Sequence, residues 1–285
     1  MTAIAVIGMG QMGAGIARRL ADRGATVLTP LDARSQASRA RAAAAGARAQ
    51  AATDLAGRAA IVLSVVPPAV AAAVAEGMLP HLQAVAAPPL YLDCNAIAPG
   101  TLAGIAARFD DLGLPFGDAA IIGGPPRAGG SGAGQAVHED AGPRIYMSGP
   151  VAEAAACLRA HGLDARLLSA VPGDASALKM SYAGITKGLQ ALGAARNGAA
   201  EALVAELRHS QPMLHDWLAQ QLPRMYAKAW RWDGEMREIA AFLEPEPGAV
   251  AMLAGAADLY AAIAAAHEAG PDSETIAILD RFAGR

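Results

Sequence analysis

Aromatic residues are scarce in this chain: Phe, Tyr and Trp together make up 4% of its 285 residues. Hydrophobic residues still reach 54%, so much of the apolar content is alanine, as in AVAAAVAEGML (69–79). Alanine favours helix and buries little area per residue. Cysteine is nearly missing. Cys94 and Cys157 are far apart and in no metal-ligand spacing, which argues against a disulfide framework and fits a reducing cytoplasm. No excess of positive charge exists either. The net charge is −3 and no basic run occurs, so nucleic acid or an anionic membrane is not expected as a partner. A strand pattern begins at about Thr2, leaving no room for a signal peptide. The most apolar late stretch, 248–270, contains Asp258, is built mainly of alanine and has no aromatic belt, so it reads as a packed helix rather than a membrane span.

What is present is an alternation. Residues 2–7 read as a buried strand, and Met12, Ile16 and Leu20 then recur at helical spacing. TVLTPL (26–31), AAIVLSVV (59–66), LYLDC (90–94), FGDAAIIGG (116–124), RIYMSG (144–149) and ARLLSA (165–170) read as further strands. Helical stretches separate most of them, and a glycine-rich segment covers 123–134. The alternation predicts an α/β domain with a mostly parallel, doubly wound sheet over residues 1–172. The pattern changes after VPG (171–173), and residues 173–285 read as all-helical. The stretch 174–208 predicts one connecting helix of about 50 Å, with Asp174 or Ser176 as its cap. Gly184, Gly188, Gly193 and Gly198 would each weaken it alone, so close packing against another helix should compensate. Breaks are expected near Pro212, Pro223 and EPEPG (244–248).

Gly8, Gly10 and Gly13 form G-x-G-x-x-G directly after the first strand and at the mouth of a helix. The first glycine permits the tight turn, the second lets a diphosphate approach the backbone, and the third lets helix and strand pack closely. Met9, Gln11 and Met12 complete this dinucleotide turn. Asp32 lies where an acidic residue would bind the adenosine ribose of NAD. Arg34, Ser35, Arg39 and Arg41 follow at once, and such groups suit the 2′-phosphate of NADP, which is the preferred cofactor.

GMGQMG, SVVPP, LDCNAIAP, DAAIIGG and GDASALKMSYAGITKG follow one another in that order. The series resembles the β-hydroxyacid dehydrogenase family, which includes 3-hydroxyisobutyrate and 6-phosphogluconate dehydrogenases. The resemblance covers about the first 190 residues. The later helices resemble a branch whose C-terminal domain has no settled function. The resemblance implies an NAD(P)-dependent oxidoreductase acting on a small, anionic hydroxy acid or its oxo counterpart, with a substrate cleft between domains and a homodimer of intertwined helical domains. It places Val66, Pro67 and Pro68 beside the nicotinamide and Asn95 in a turn that touches substrate. The amides of Gly123 and Gly124 would receive a substrate carboxylate, and Lys179 would be the general acid/base. Relatives usually carry Asn four residues after that lysine, where this chain has Ala183. Thr186 and Lys187 fall near the same helix face and are the candidates to replace it. The glycine loop is longer than usual and contains Arg127 and His138. Two other readings stay open: an imine reductase, against which Lys179 speaks, and a catalytically silent nucleotide sensor. His209, His215 and Asp216 lack metal-ligand spacing, and the tryptophans read as core or interface anchors.

Overall fold

The computed structural model describes residues 2–126, 142–194 and 200–270. Arg127, His138 and Gly198 lie outside the described residues. The chain divides into two compact units, Met1–Lys179 and Met180–Arg285.

The first unit is built on one sheet. Its strands are β1 (Ala3–Ile7), β2 (Thr26–Thr29), β3 (Arg48–Ala49), β4 (Ile61–Ser64), β5 (Leu90–Asp93), β6 (Phe116–Ile122), β7 (Arg144–Ser148) and β8 (Asp164–Ser169). They lie in the order β3-β2-β1-β4-β5-β6-β7-β8. β1 to β6 are mutually parallel, β6 and β7 pair antiparallel, and β7 and β8 are again parallel. The helices α1 (Gln11–Asp22), α2 (Gln36–Ala44), α3 (Ala52–Ala56), α4 (Ala71–Gln83), α5 (Pro99–Asp111) and α6 (Ala152–Ala160) connect them. The sheet is therefore doubly wound and mostly parallel, followed by a helical region.

Side chains alternate across each strand, so the apolar strands feed two cores. Ile4 and Val6 join one with Ile16, Leu20 and Leu92. Ala5 and Ile7 join the other, with Tyr91, Phe109 and Phe116. These three rings sit together, Tyr91–Phe109 and Phe109–Phe116 at centroid distances of 4.9 and 5.0 Å. The three rings bring to this core the bulk that alanine lacks.

α7 (Asp174–Ala194) begins in the first unit and ends in the second. α8 (Ala200–Ser210) follows, and whether it continues α7 falls outside the described residues. α9 (Pro212–Met225), α10 (Ala229–Phe242) and α11 (Pro247–Glu268) complete the second unit. Pro212 and Pro247 sit in first turns, where a missing N–H costs nothing. Pro223 lies inside α9, which ends two residues later.

Close packing explains the α7 glycines. A Cβ on Gly184 would lie 3.2 Å from Ile239 Cγ2, and one on Gly193 would lie 2.9 Å from Leu218 Cδ2. α11 is long and apolar enough to cross a membrane by length and composition. One face of it is buried through Leu253, Ala256, Ala257, Tyr260 and Ile263, and Asp258 pairs with Arg237 of α10.

Candidate functional site

The three glycines after β1 are not equivalent. Gly8 has φ +99°, and a Cβ there would lie 2.2 Å from the Val65 carbonyl oxygen. A Cβ on Gly13 would lie 1.9 Å from the Gly8 oxygen, whereas one on Gly10 meets nothing within 4 Å. Gly8 and Gly13 therefore serve internal packing, and Gly10 faces open space. Gly10 also caps α1 and brings no side-chain acceptor, so first-turn N–H groups stay open to an anion. Gln11 is exposed and Met12 half-buried, whereas Met9 is in the core. This cradle fits the diphosphate of a dinucleotide.

Beyond β2 the chain turns through Ala33, whose φ of +54° is left-handed. Asp32 and Arg34 are exposed beside this turn. Ser35 caps α2, its hydroxyl accepting from the Ser38 N–H at 3.2 Å. Arg39 donates to the Arg34 carbonyl at 3.1 Å. Arg41 reaches the other way: its Nε donates to the Met9 carbonyl at 2.7 Å, bracing the glycine turn.

The carboxyl ends of β1, β4 and β5 are level, and β6 runs on past that line to Ile122. Ile7 is in register with Ser64, Ser64 with Asp93, Asp93 with Asp118, and Asp118 with Ser148. The last four form a buried polar row across an otherwise apolar sheet. Asn95, just past β5, is 3% exposed. Its Oδ1 accepts from the Val66 N–H at 2.7 Å. Its Nδ2 donates to Ser64 Oγ at 3.1 Å and to Asp93 Oδ2 at 2.9 Å. Asn95 is thus a clasp that holds the Val66–Pro67 loop to β5, with both amide hydrogens used within the protein. Burial pushes the Asp93 carboxyl up to about 6 against the pull of the Asn95 hydrogen bonds, and the Asp118 charge adds to the rise. Burial also pushes the Cys94 thiol well up, which suits a packing residue rather than a nucleophile.

At the end of β6, Gly123 has φ +121° and both Gly123 and Gly124 are exposed. A Cβ on Gly15 of α1 would lie 3.0 Å from Pro126 Cδ, so this turn passes beside the first helix. Lys179 comes from the first turns of α7, and its Nζ donates to the Ile121 carbonyl at 3.0 Å. One unit therefore assembles the Gly8–Gly13 turn, the Val66 loop, Asn95, Gly123–Gly124 and Lys179 at the carboxyl edge of one sheet, where ligands of such sheets bind.

The residues expected to replace the missing asparagine are committed elsewhere. Ala183 is buried. Thr186 Oγ1 donates to the Tyr182 carbonyl of its own helix at 2.9 Å. Lys187 forms a buried ion pair with Glu235 of α10 and lies 5.0 Å above the Trp232 ring. Helical spacing could not foresee this partner, 48 positions away in sequence (235 − 187). Sequence reasoning also missed Ser64, Asp93, Asp118 and Ser148. The signal was an acidic residue closing an apolar strand, as in LYLD (90–93).

Residues 3–135 match the NAD binding domain of 6-phosphogluconate dehydrogenase. Residues 194–263 match a domain of unknown function, DUF1932. No curated protein matches the chain. Among solved structures, a conserved protein of unknown function, described as similar to 3-hydroxyacid dehydrogenases, is 27% identical with a TM-score of 0.66, covering 93% of this chain and 98% of that one. The Mycobacterium tuberculosis 3-hydroxyisobutyrate dehydrogenase with L-serine is 18% identical with a TM-score of 0.69, covering 99% of each chain. An imine reductase from Myxococcus stipitatus in complex with NADP+ is 20% identical with a TM-score of 0.55, covering 98% of this chain and 99% of that one. At these identities the last two share the fold. The chain thus joins an NAD binding domain of the 6-phosphogluconate dehydrogenase type to a DUF1932 helical domain, and its structural neighbours are 3-hydroxyacid and 3-hydroxyisobutyrate dehydrogenase-like proteins.

Proposed function

We propose that the protein is an NAD(P)-dependent oxidoreductase acting on a small hydroxy acid or the corresponding oxo compound, with Lys179 as general acid/base. The observation that carries this reading is the Lys179 ammonium at 3.0 Å from the Ile121 carbonyl, two residues before the exposed Gly123 and Gly124. The bound nicotinamide supplies or accepts the hydride. During oxidation Lys179, as the free amine, takes the hydroxyl proton while the carbon gives up its hydride. During reduction the ammonium returns that proton to the developing alkoxide. The Gly123 and Gly124 amides receive the anionic end of the substrate, and Asn95 keeps the Val66–Pro67 loop in place. Arg34 beside the Ser35 cap supports NADP over NAD, since a guanidinium suits a 2′-phosphate.

The helical unit supports a homodimer. Ile185, Leu189, Leu192 and Met252 are exposed and line an apolar groove of about 710 Å³ between α7, α10 and α11. A second copy covering it would remove that surface from water.

The test is incubation with NADPH or NADH and a panel of 2- and 3-hydroxy and oxo acids, plus cyclic imines, followed by nicotinamide absorbance. Turnover with an acid, lowered about a thousandfold in Lys179→Met with NADPH affinity retained, supports the reading. Wild-type turnover in Lys179→Met overturns it. Turnover of imines alone would point to the imine-reductase reading, and NADPH binding without turnover to a sensor.

A further inference from the structure

The start of α7 is capped in an unusual way. Helices commonly satisfy their first N–H groups with a side chain of their own N-cap. Here the acceptors come from the sheet. Asp118 of β6 is 0% exposed. Its Oδ2 accepts from the Gly173 N–H at 3.0 Å, the Ser176 N–H at 3.0 Å and the Ser148 hydroxyl at 2.9 Å. Its Oδ1 accepts from the Ser176 hydroxyl at 2.8 Å. Ser148 of β7 then accepts the Ala175 N–H at 3.0 Å. One carboxylate and one hydroxyl thus take the N–H groups of Gly173, Ala175 and Ser176, and the anion sits at the positive end of the helix dipole.

Ser176 and Lys179 are three residues apart on one helix, so their side chains share a face. Asp118 and Ile121 are three residues apart on one strand. The pair of contacts, Ser176 to Asp118 and Lys179 to Ile121, therefore fixes the helix against the strand at two heights. Losing the lower contact removes the Asp118 hydrogen bonds to Gly173 and Ser176 that hold the start of α7, so the Lys179 ammonium is held less firmly.

We propose that Asp118 is a positioning residue: by seating the first turn of α7 on β6 and β7, it sets where the Lys179 ammonium stands at the carboxyl edge of the sheet. This rests on the reading of Lys179 as the acid/base, but its test does not. Asp118 touches neither substrate nor cofactor in this account. It acts through the helix.

The chain contains three lysines, Lys179, Lys187 and Lys228, which makes amine labelling a direct probe. The full-length protein is treated with substoichiometric acetic anhydride over a range of pH, and acetylation of each lysine is quantified by peptide mass spectrometry. Lys228 reports the reagent, and Lys187, paired with Glu235, reports the integrity of the helical unit. In Asp118→Ala, Lys179 should label about tenfold faster than in wild type, with a displaced pH profile, because its helix has lost charge-assisted hydrogen bonds. The Lys187 and Lys228 profiles should superimpose on wild type. Asp118→Asn keeps one oxygen for the three donors and an amide for the Ser176 hydroxyl, so it should label within about twofold of wild type. Ser176→Ala, which removes a single hydroxyl, should give an intermediate rise, and it decides the matter if Asp118→Ala does not fold. A folded Asp118→Ala or Ser176→Ala with a wild-type Lys179 profile overturns the proposal. Full turnover in Lys179→Met would instead remove the acid/base reading and leave the labelling result standing on its own.

Discussion

Replacing Asp93 by Asn should change how the stability of the sheet depends on pH. Asp93 is 1% exposed, and its carboxyl is raised from 3.8 to about 6. The largest cause is burial, which disfavours the charged form. Hydrogen bonds from the Asn95 N–H and side chain oppose it, and the neighbouring Asp118 charge reinforces it. Between about pH 4 and pH 6 the folded protein therefore holds a proton that the unfolded chain has already lost. Where the native state binds more protons, stability falls as pH rises. The stabilisation is complete below the unfolded value, is lost as pH passes through about 6, and stays lost above it. A shift of about two units corresponds to about 2–3 kcal/mol between pH 4 and pH 7. Asp93→Asn has no such proton to lose. The assay is hydrogen–deuterium exchange of the β5 amides, Leu90–Asp93, in both proteins at matched pH, because the ratio of rates cancels the intrinsic pH dependence. The protection of the variant relative to wild type should rise about fiftyfold from pH 4 to pH 7. A constant ratio across that range would show that Asp93 is ionised throughout and that the linkage argument is wrong.

Three further substitutions have expected outcomes. Gly13→Ala forces a Cβ to within 1.9 Å of the Gly8 oxygen, so the turn must distort and the melting temperature should fall, overpacking costing about 1–3 kcal/mol. Gly10→Ala meets nothing within 4 Å, so its melting temperature should match wild type while calorimetry shows NADPH binding weakened. Lys187→Met takes the ammonium away from the largely buried Glu235 in the helical unit and should destabilise that unit by about 3–5 kcal/mol in urea unfolding followed by tryptophan fluorescence. All three tryptophans, Trp217, Trp230 and Trp232, lie in that unit. Adding Glu235→Leu should restore most of the loss, and failure of the double variant to recover would mean the pair is not what Lys187 contributes.

The parts of this fold that are local in sequence were legible. Runs such as AAIVLSVV became β4 because a strand buried on both faces needs no polar alternation. The glycine turn was readable because its spacing sits directly between a strand and a helix, although only Gly13 answers a near neighbour, the Gly8 oxygen; the Val65 carbonyl that excludes a side chain at Gly8 comes from just past the end of β4. β3 escaped because two residues, Arg48 and Ala49, carry no period. TVLTPL stops at Thr29, since Pro30 has no N–H to continue the ladder. Register was not legible at all. Nothing in LYLDC and FGDAA says that Asp93 and Asp118 stand side by side, because that depends on how two distant strands slide past each other. The fate of Lys187 had the same origin: its face on α7 followed from spacing, but its carboxylate partner came from α10.

The polar row has a physical reason beyond any single residue. A helix that delivers a lysine to the edge of a sheet must start close to that edge, where its first N–H groups are withdrawn from water. Orphaned there, each would cost about 1–3 kcal/mol. An N-cap from the helix's own chain would satisfy them but leave the helix free to shift against the sheet. Acceptors rooted in β6 and β7 satisfy the same groups and fix the position as well, because Asp118 and Ser148 are held by ladder pairing. The cost is two buried carboxyls on adjacent strands, and at Asp93 burial first, and the Asp118 charge in addition, raise the proton affinity. That cost sits next to Asn95 and one strand from Ile121, the two places where this sheet holds the groups proposed to do the chemistry. The positions at which the sheet gives up apolar side chains are thus the positions at which it must hold something still.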